Sequence, residues 1–255
     1  MPNTIPHIIH YCWFGKSELP ALEKACMKTW SKLKGYKFMR WDESTFNIKK
    51  ANQFVKEAYR RKKYAFVSDY VRLYALYQFG GVYIDTDMEI YQDFSKIIDA
   101  HDVVGGFEHD TIASAGFIAA KPKCAIIKEL LETYETKQFI KEDGSLNMTP
   151  INFGWNGVLK KYGMIPNGKT QVIDSDFGLS IFIGNWHHFN SVSMKTWHAE
   201  YTDETYTVHH YSGSWLKASG IKKTIGAMKN RLKLLVGFRN YAKIQKFTER
   251  FQRRR

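Results

Sequence analysis

Two aspartates, Asp85 and Asp87, stand one residue apart. If the chain turns there, both carboxylates can converge on one cation, and hard oxygen donors suit Mg²⁺ or Mn²⁺. Taken alone, the pattern also describes a solvated turn. Sixteen residues upstream of Asp85, Asp69 and Arg72 lie three positions apart and so share one face of any helix formed there. The surrounding positions, Phe66, Val67, Tyr70, Val71, Leu73, Tyr74, Leu76 and Tyr77, are apolar. A charged pair on such a segment is costly to bury without a partner or a purpose. It is either a structural ion pair or part of a site.

Placing these groups together requires particular elements. Ile5 to Gly15 is an apolar run ended by glycine, as expected of a buried strand feeding a loop. Leu19 to Leu33 has helical spacing, and Tyr36 to Trp41 reads as a second strand, so the chain opens on a strand, helix, strand unit. Such units build parallel sheets whose ligand sites lie at the carboxyl ends of the strands. Helical spacing then runs from Ala51 to Phe79, apolar on nearly every side after Tyr64, and Gly80-Gly81 ends it. Val82-Tyr83-Ile84 resumes as a buried strand, with Asp85-Thr86-Asp87 at its carboxyl end. Further strands are expected at Val103 to Phe107 and Gly116 to Ala120, a helix from Ala125 to about Gln138, and a loop from Lys141 to Gly154. Lys217 to Gly220 reads as a hinge.

The chain has 255 residues, 44% hydrophobic and 15% aromatic, enough for one full core and an appendage. Cys12, Cys26 and Cys124 are odd in number and far apart, which suggests neither a disulfide framework nor a zinc site. No apolar run has the length of a membrane span, and the N-terminus lacks the pattern of an export signal. A cytoplasmic protein is therefore expected. The net charge of +13 is concentrated in residues 221–255, which hold 12 of the 38 Lys and Arg and a single acid, Glu249.

Three segments carry a resemblance to a known family. The run from Ser68 through Asp69, Arg72 and Gly80-Gly81 to Asp85-Thr86-Asp87 resembles the sugar-binding region of glycosyltransferase family 32. That family includes yeast initiation-specific mannosyltransferases and bacterial capsule and lipopolysaccharide enzymes, and clostridial glucosylating toxins share a related core. Ile5-Pro6-His7-Ile8-Ile9-His10 with Trp13-Phe14-Gly15 is similar to its opening strand, and His209-His210-Tyr211-Ser212-Gly213-Ser214-Trp215 to its closing motif. The resemblance spans residues 5 to 215. It implies a GT-A fold, that is, an α/β Rossmann-like, mostly parallel sheet flanked by helices. It also implies a nucleotide-sugar donor, UDP-linked as first guess, an Mn²⁺ or Mg²⁺ cofactor, and transfer with retention of configuration.

Carried over by position, the resemblance gives Asp69 and Arg72 to the donor's sugar and ribose, Asp85 to the ribose or sugar, and Asp87 to the metal. Trp13 stacks on the base, unless it packs in the core beside Tyr11. His209 or His210, with His209 preferred, completes the metal site, while Ser214 and Trp215 hydrogen-bond the diphosphate. Asp85, Asp87 and Trp215 form the expected catalytic set. On the acceptor side, Trp155, Asn156 and Asp176 are candidates, against the plainer readings of loop packing for the first two and a solvated loop acid for the third.

Residues 1–220 are thus expected to form the catalytic domain and 221–255 a basic amphipathic helical tail. Apolar residues recur there at Ile225, Met228, Leu232, Leu235, Phe238, Tyr241, Ile244, Phe247 and Phe251, with Lys and Arg between them. This fits an interfacial helix on an anionic membrane, or a helix docked on the catalytic body. A nucleic-acid partner is not expected, because outside the tail 26 basic residues nearly balance 24 acidic ones. The expected activity is sugar transfer to a lipid-linked polysaccharide precursor at the inner membrane face, as in capsule synthesis. A protein acceptor and a non-catalytic nucleotide-sugar or membrane-binding protein are the alternatives. Under this reading, removing the tail spares donor hydrolysis and abolishes membrane association.

Overall fold

The computed structural model describes residues 4–213 and 221–252. In chain order the elements are β1 (Ile8–Cys12), α1 (Ala21–Thr29), β2 (Lys37–Trp41), α2 (Gln53–Arg60), α3 (Tyr64–Phe79), β3 (Gly81–Ile84), β4 (Met88–Ile90) and α4 (Ser95–Ala100). There follow β5 (Val103–Gly106), β6 (Phe117–Ala120), α5 (Ala125–Glu132), α6 (Ile151–Lys161), β7 (Gln171–Asp174), β8 (Ser180–Gly184), α7 (Trp186–Phe189), β9 (Thr207–His209), α8 (Ile221–Val236) and α9 (Phe238–Gln252).

Seven strands form one sheet in the order β2-β1-β3-β6-β5-β8-β7, and β4 pairs with β9 separately. Strands β6 and β7 run against their neighbours and the other five run together. This is a mixed, mostly co-directional sheet flanked by helices, the α/β arrangement that the resemblance implies. Both faces are covered, so the central strands are apolar without a break. Tyr83 faces the core packed by α2, α3, α5 and α6, while Val82 and Ile84 face the one beneath α1, α4 and α7. The alternation matters for function, because it turns Tyr83 alone of its strand towards α3.

The turn into β3 needs both of its glycines. Gly80 and Gly81 have φ of 63° and 101°, and a Cβ would lie 2.6 Å from the Pro122 ring at the first and 2.6 Å from the Ile8 carbonyl at the second. The helical run expected from Ala51 to Phe79 is two helices. α2 ends where Lys62 takes φ 57°, its amide bonding to the Tyr59 carbonyl and that of Lys63 to the Ala58 carbonyl. This paired closure normally advertises itself with a glycine, and here a lysine fills the position. The loop expected from Lys141 to Gly154 ends earlier than anticipated, because α6 begins at Ile151 directly after Pro150, a residue suited to a helix start.

The tail is two helices broken at Gly237, φ 83°. The Phe238 ring lies 4.3 Å from the His210 ring, tilted by 30°, Arg239 lies over Tyr91, and His198 Nδ1 is 3.6 Å from Glu249 Oε2. Tyr241 and Ala242 are buried, whereas Met228 and Leu235 are 67% and 75% exposed, with Ile225 and Leu232 beside them. The tail therefore has a docked inner face and an apolar, basic outer face. The hinge expected at Lys217 to Gly220 lies outside the described residues.

Candidate active site

Asp85 leaves the end of β3 with its amide bonded to the Gly116 carbonyl, and its own carbonyl accepts from Met88 in a tight turn. Thr86 and Asp87 sit within that turn. Strand β4 follows at once and pairs antiparallel with β9, with Met88 opposite His209. The His210 amide extends the ladder to the Asp87 carbonyl, and the Ser212 amide donates to Asp87 Oδ2 at 2.7 Å. A short strand pair thus brings the closing motif onto the aspartates.

As a result, ligand atoms of Asp85, Asp87 and His209 all lie within 4.8 Å of one another. His209 Nε2 is 3.3 Å from Asp87 Oδ1. The other imidazole, His210, turns the opposite way and meets Glu89 Oε2 at 3.1 Å, an oxygen that also accepts from the Tyr201 hydroxyl. Of the two histidines, only His209 joins the aspartates.

Arg72 organises the neighbouring wall. Its Nη2 is 2.9 Å from Asp69 Oδ1 and 3.6 Å from Asp85 Oδ1, and its Nη1 donates to the Ala115 carbonyl at 2.6 Å. The guanidinium lies over the Tyr83 ring, whose hydroxyl donates to Asp85 Oδ1 at 2.8 Å. With Oδ1 so engaged, Asp85 Oδ2 is the oxygen facing Gly116. Asp69 and Arg72 are both an ion pair and part of the cleft wall.

The electrostatics suit a cation. Burial alone would raise the Asp87 carboxyl, but His209 and the Ser212 hydrogen bonds hold it well below the usual carboxylate range. Burial disfavours the His209 charge, yet Asp87 beside it pushes its pKa above the ordinary value. Burial pushes Asp69 up to about 6 against the pull of Arg72. Two carboxylates and an imidazole form a hard, oxygen-rich donor set that fits Mn²⁺ or Mg²⁺. Gly116 leaves the necessary room, since a Cβ there would stand 3.0 Å from Asp85 Oδ2 and 3.2 Å from His209 Cε1. His209 Nδ1 and the Tyr211 hydroxyl, both buried, have no hydrogen-bond partner among the described residues.

These groups line a cleft of about 1090 Å³ that also includes Trp13, Arg61, Lys63, Glu108, Asn152 and Trp197. It is large enough for a nucleotide sugar. Trp13 is half-buried on the wall rather than packed on Tyr11, and its Nε1 donates to the Ser17 carbonyl. Ser214 and Trp215 lie outside the described residues.

The acceptor candidates require correction. Trp155 is fully buried in the core, its ring against Gly105, so it cannot line a groove. Asn156 is spent on structure: its side chain accepts from the Ala113 amide and donates to the Ala113 and Asn152 carbonyls. Asp176 sits in the β7–β8 turn, before β8 begins, and β8 runs parallel to β5 and so with β3. It is exposed at the opposite end of the sheet from Asp85. Tyr83, Glu108, Gly116, Tyr211 and Ser212 were not singled out by sequence. Ser212 stands inside the closing motif, and Glu108 just past a predicted strand end.

Residues 20–104 match the model of the family described as glycosyltransferase sugar-binding region containing DXD motif. Among solved structures, PaToxG glycosyltransferase is 18% identical, covering 63% of this chain and 70% of its own, with a TM-score of 0.47. A glycosyltransferase involved in the glycosylation of the major capsid of PBCV-1 is 10% identical, covering 81% and 94%, with a TM-score of 0.44. No curated protein matches the chain at a significant level.

Proposed function

We propose, from the premise that this chain is a glycosyltransferase by the DXD sugar-binding region at residues 20–104, that it moves a sugar from a UDP-sugar to a lipid-linked glycan precursor with retention of configuration. The observation that carries the proposal is the convergence of Asp85, Asp87 and His209 beside the Asp69–Arg72 pair in one cleft.

In this reading Asp85, Asp87 and His209 hold a divalent cation, which would supply Lewis-acid neutralisation of the departing diphosphate. Arg72, fixed by Asp69, Tyr83 and the Ala115 carbonyl, presents an oriented positive charge to the donor and needs no reorganisation as the leaving group gains charge. Asp69 and Asp85 orient the donor's sugar and ribose hydroxyls, and Trp13 stacks on the base. The bond from the anomeric carbon to the diphosphate oxygen breaks, and a bond from that carbon to an acceptor hydroxyl forms on the same face. The hydroxyl proton passes to the departing diphosphate oxygen.

The outer tail face supports peripheral attachment to an anionic membrane. Ile225, Met228, Leu232 and Leu235 are exposed beside Lys229 and Arg231, and each basic residue near such a surface contributes about 1 kcal/mol. No helix among the described residues is long and apolar enough to cross a membrane. Co-sedimentation with phosphatidylserine but not phosphatidylcholine vesicles tests this part. Equal binding to both or to neither removes it.

The catalytic reading is tested by nucleoside diphosphate release from a panel of UDP, GDP and CMP sugars with Mn²⁺ or Mg²⁺. Hydrolysis of one donor should depend on the metal and fall at least a hundredfold in Asp87→Ala, by analogy with the loss of a transition-state charge partner. A wild-type protein that turns over no donor overturns it.

A further inference from the structure

The cleft has an outer half that the donor reading leaves unused, and it is built as a carbohydrate subsite. Trp197 lines its mouth with 60% of its surface exposed. A single exposed aromatic is unremarkable, but this one is held in a strained setting. Its φ is +56°, a conformation costly for a bulky residue. The loop is pinned by the bond from its amide to the Ser193 carbonyl at 2.7 Å, by that from the Ser193 amide to the His198 carbonyl, and by the Val192–Ala199 bridge.

The indole leads directly back to the metal ligands. It meets Tyr211 edge to face, 5.8 Å away at 88°, and Tyr211, itself at φ +47°, stacks 3.9 Å from the His209 ring. The same cleft contains Glu108, fixed by the Asn152 amide nitrogen at 3.0 Å, and exposed Met148. The buried Tyr211 hydroxyl has no partner among the described residues. An aromatic face and a fixed carboxylate are what a sugar ring needs, one for its apolar face and one for its hydroxyls.

We propose that this outer half is the acceptor subsite, in which the Trp197 ring receives the face of the acceptor sugar while Glu108, positioned by Asn152, binds its hydroxyls. The proposal rests on the transferase reading and replaces the acceptor residues that sequence alone suggested. It puts the acceptor between the Tyr211–His209 stack and Glu108, whose partner Asn152 also accepts from the amide of Ala115, the residue whose carbonyl anchors Arg72.

The test combines binding with kinetics. The indole N–H signal of Trp197, assigned by its absence in Trp197→Phe, is followed during titration with methyl glycosides and disaccharides of glucose, galactose, mannose and N-acetylglucosamine, with UDP and Mn²⁺ present. At least one saccharide should shift that signal selectively. Trp197→Ala should raise the KM of that saccharide as acceptor about tenfold, more than it raises the donor KM, and Trp197→Tyr should restore most of the loss. The subsite is overturned if no saccharide moves the signal, if only phospholipid vesicles do, or if Trp197→Ala keeps the acceptor KM within twofold. Failure of the transferase reading is separate, because it shows as wild-type protein that hydrolyses no donor.

Discussion

Gly116 has no side chain to do chemistry, yet it sets the space in which Asp85 and His209 can share an ion. Its backbone is not in a glycine-only conformation, so Gly116→Ala tests space alone. The new Cβ would press on Asp85 Oδ2 and the His209 ring. We expect the fold to survive with little change in melting temperature and the apparent Mn²⁺ dissociation constant to rise about tenfold, as read by titration calorimetry. Unchanged affinity would mean that these two residues do not bind the ion together. Asp69, Arg72, Asp85, Asp87 and His209 were legible in the sequence because they fall in contiguous motifs whose spacing reflects one helix and two strand ends. Gly116 and Glu108 were not, because only the pairing of β3 with β6 and of β5 with β8 brings their segments to the site. Trp155 was misread for a related reason: the run Ile151 to Gly157 contains Asn and two Gly, which resemble a loop, yet it forms α6 with its apolar side on the core.

At the level of elements, the turn from α3 into β3 governs where Asp85 arrives, and His10 of β1 locks it. His10 Nε2 donates to the Gly80 carbonyl at 2.8 Å, while its Nδ1 accepts from the Trp41 indole at 3.1 Å, so the ring is satisfied only when neutral. Burial lowers its pKa from 6.5 to about 4. Since the folded-state value lies below the unfolded one, the unfolded chain takes up a proton that the folded chain refuses. The stability from this histidine is complete above about pH 6.5 and is lost as the pH falls through about 4, a change of about 3 kcal/mol. Thermal melts of wild type and His10→Gln should therefore converge on acidification across this window, because the variant has nothing to titrate there. Parallel curves would show that His10 is not the group responsible. The order β1, α1, β2, α3, β3, β5 and β6 was readable from periodicity and glycine placement, whereas the short β4 and α4 between β3 and β5 were not. The break between α2 and α3 was not, because Lys62 occupies a left-handed position without the usual glycine.

Across the whole molecule, the tail is attached where it matters. One side of the β4–β9 pair presents Asp87 and His209 to the cleft, and on the other His210, bonded to Glu89, meets Phe238 of the tail. Half-buried Lys233 of α8 feels Asp87 and Glu89, although burial lowers its own pKa. The sequence suggested that the tail could be removed without loss of donor hydrolysis. Its docking leads to a different expectation: a chain ending at residue 220, which keeps Ser214 and Trp215, should lose vesicle binding and also need about tenfold more Mn²⁺ for half-maximal hydrolysis, measured by diphosphate release. Hydrolysis with unchanged metal dependence would restore the tail to a membrane role only. The same strand pair fixes when the centre can exist at all. Glu89 and His210 are neighbours separated by 121 positions, so closing that pair spends the entropy of a very long loop, and contacts of this range form slowly. On the ribosome, a nascent chain that has displayed Asp85 and Asp87 still lacks its imidazole until β9 emerges. On the proposed reading, ion capture would therefore follow the folding of nearly the entire catalytic body.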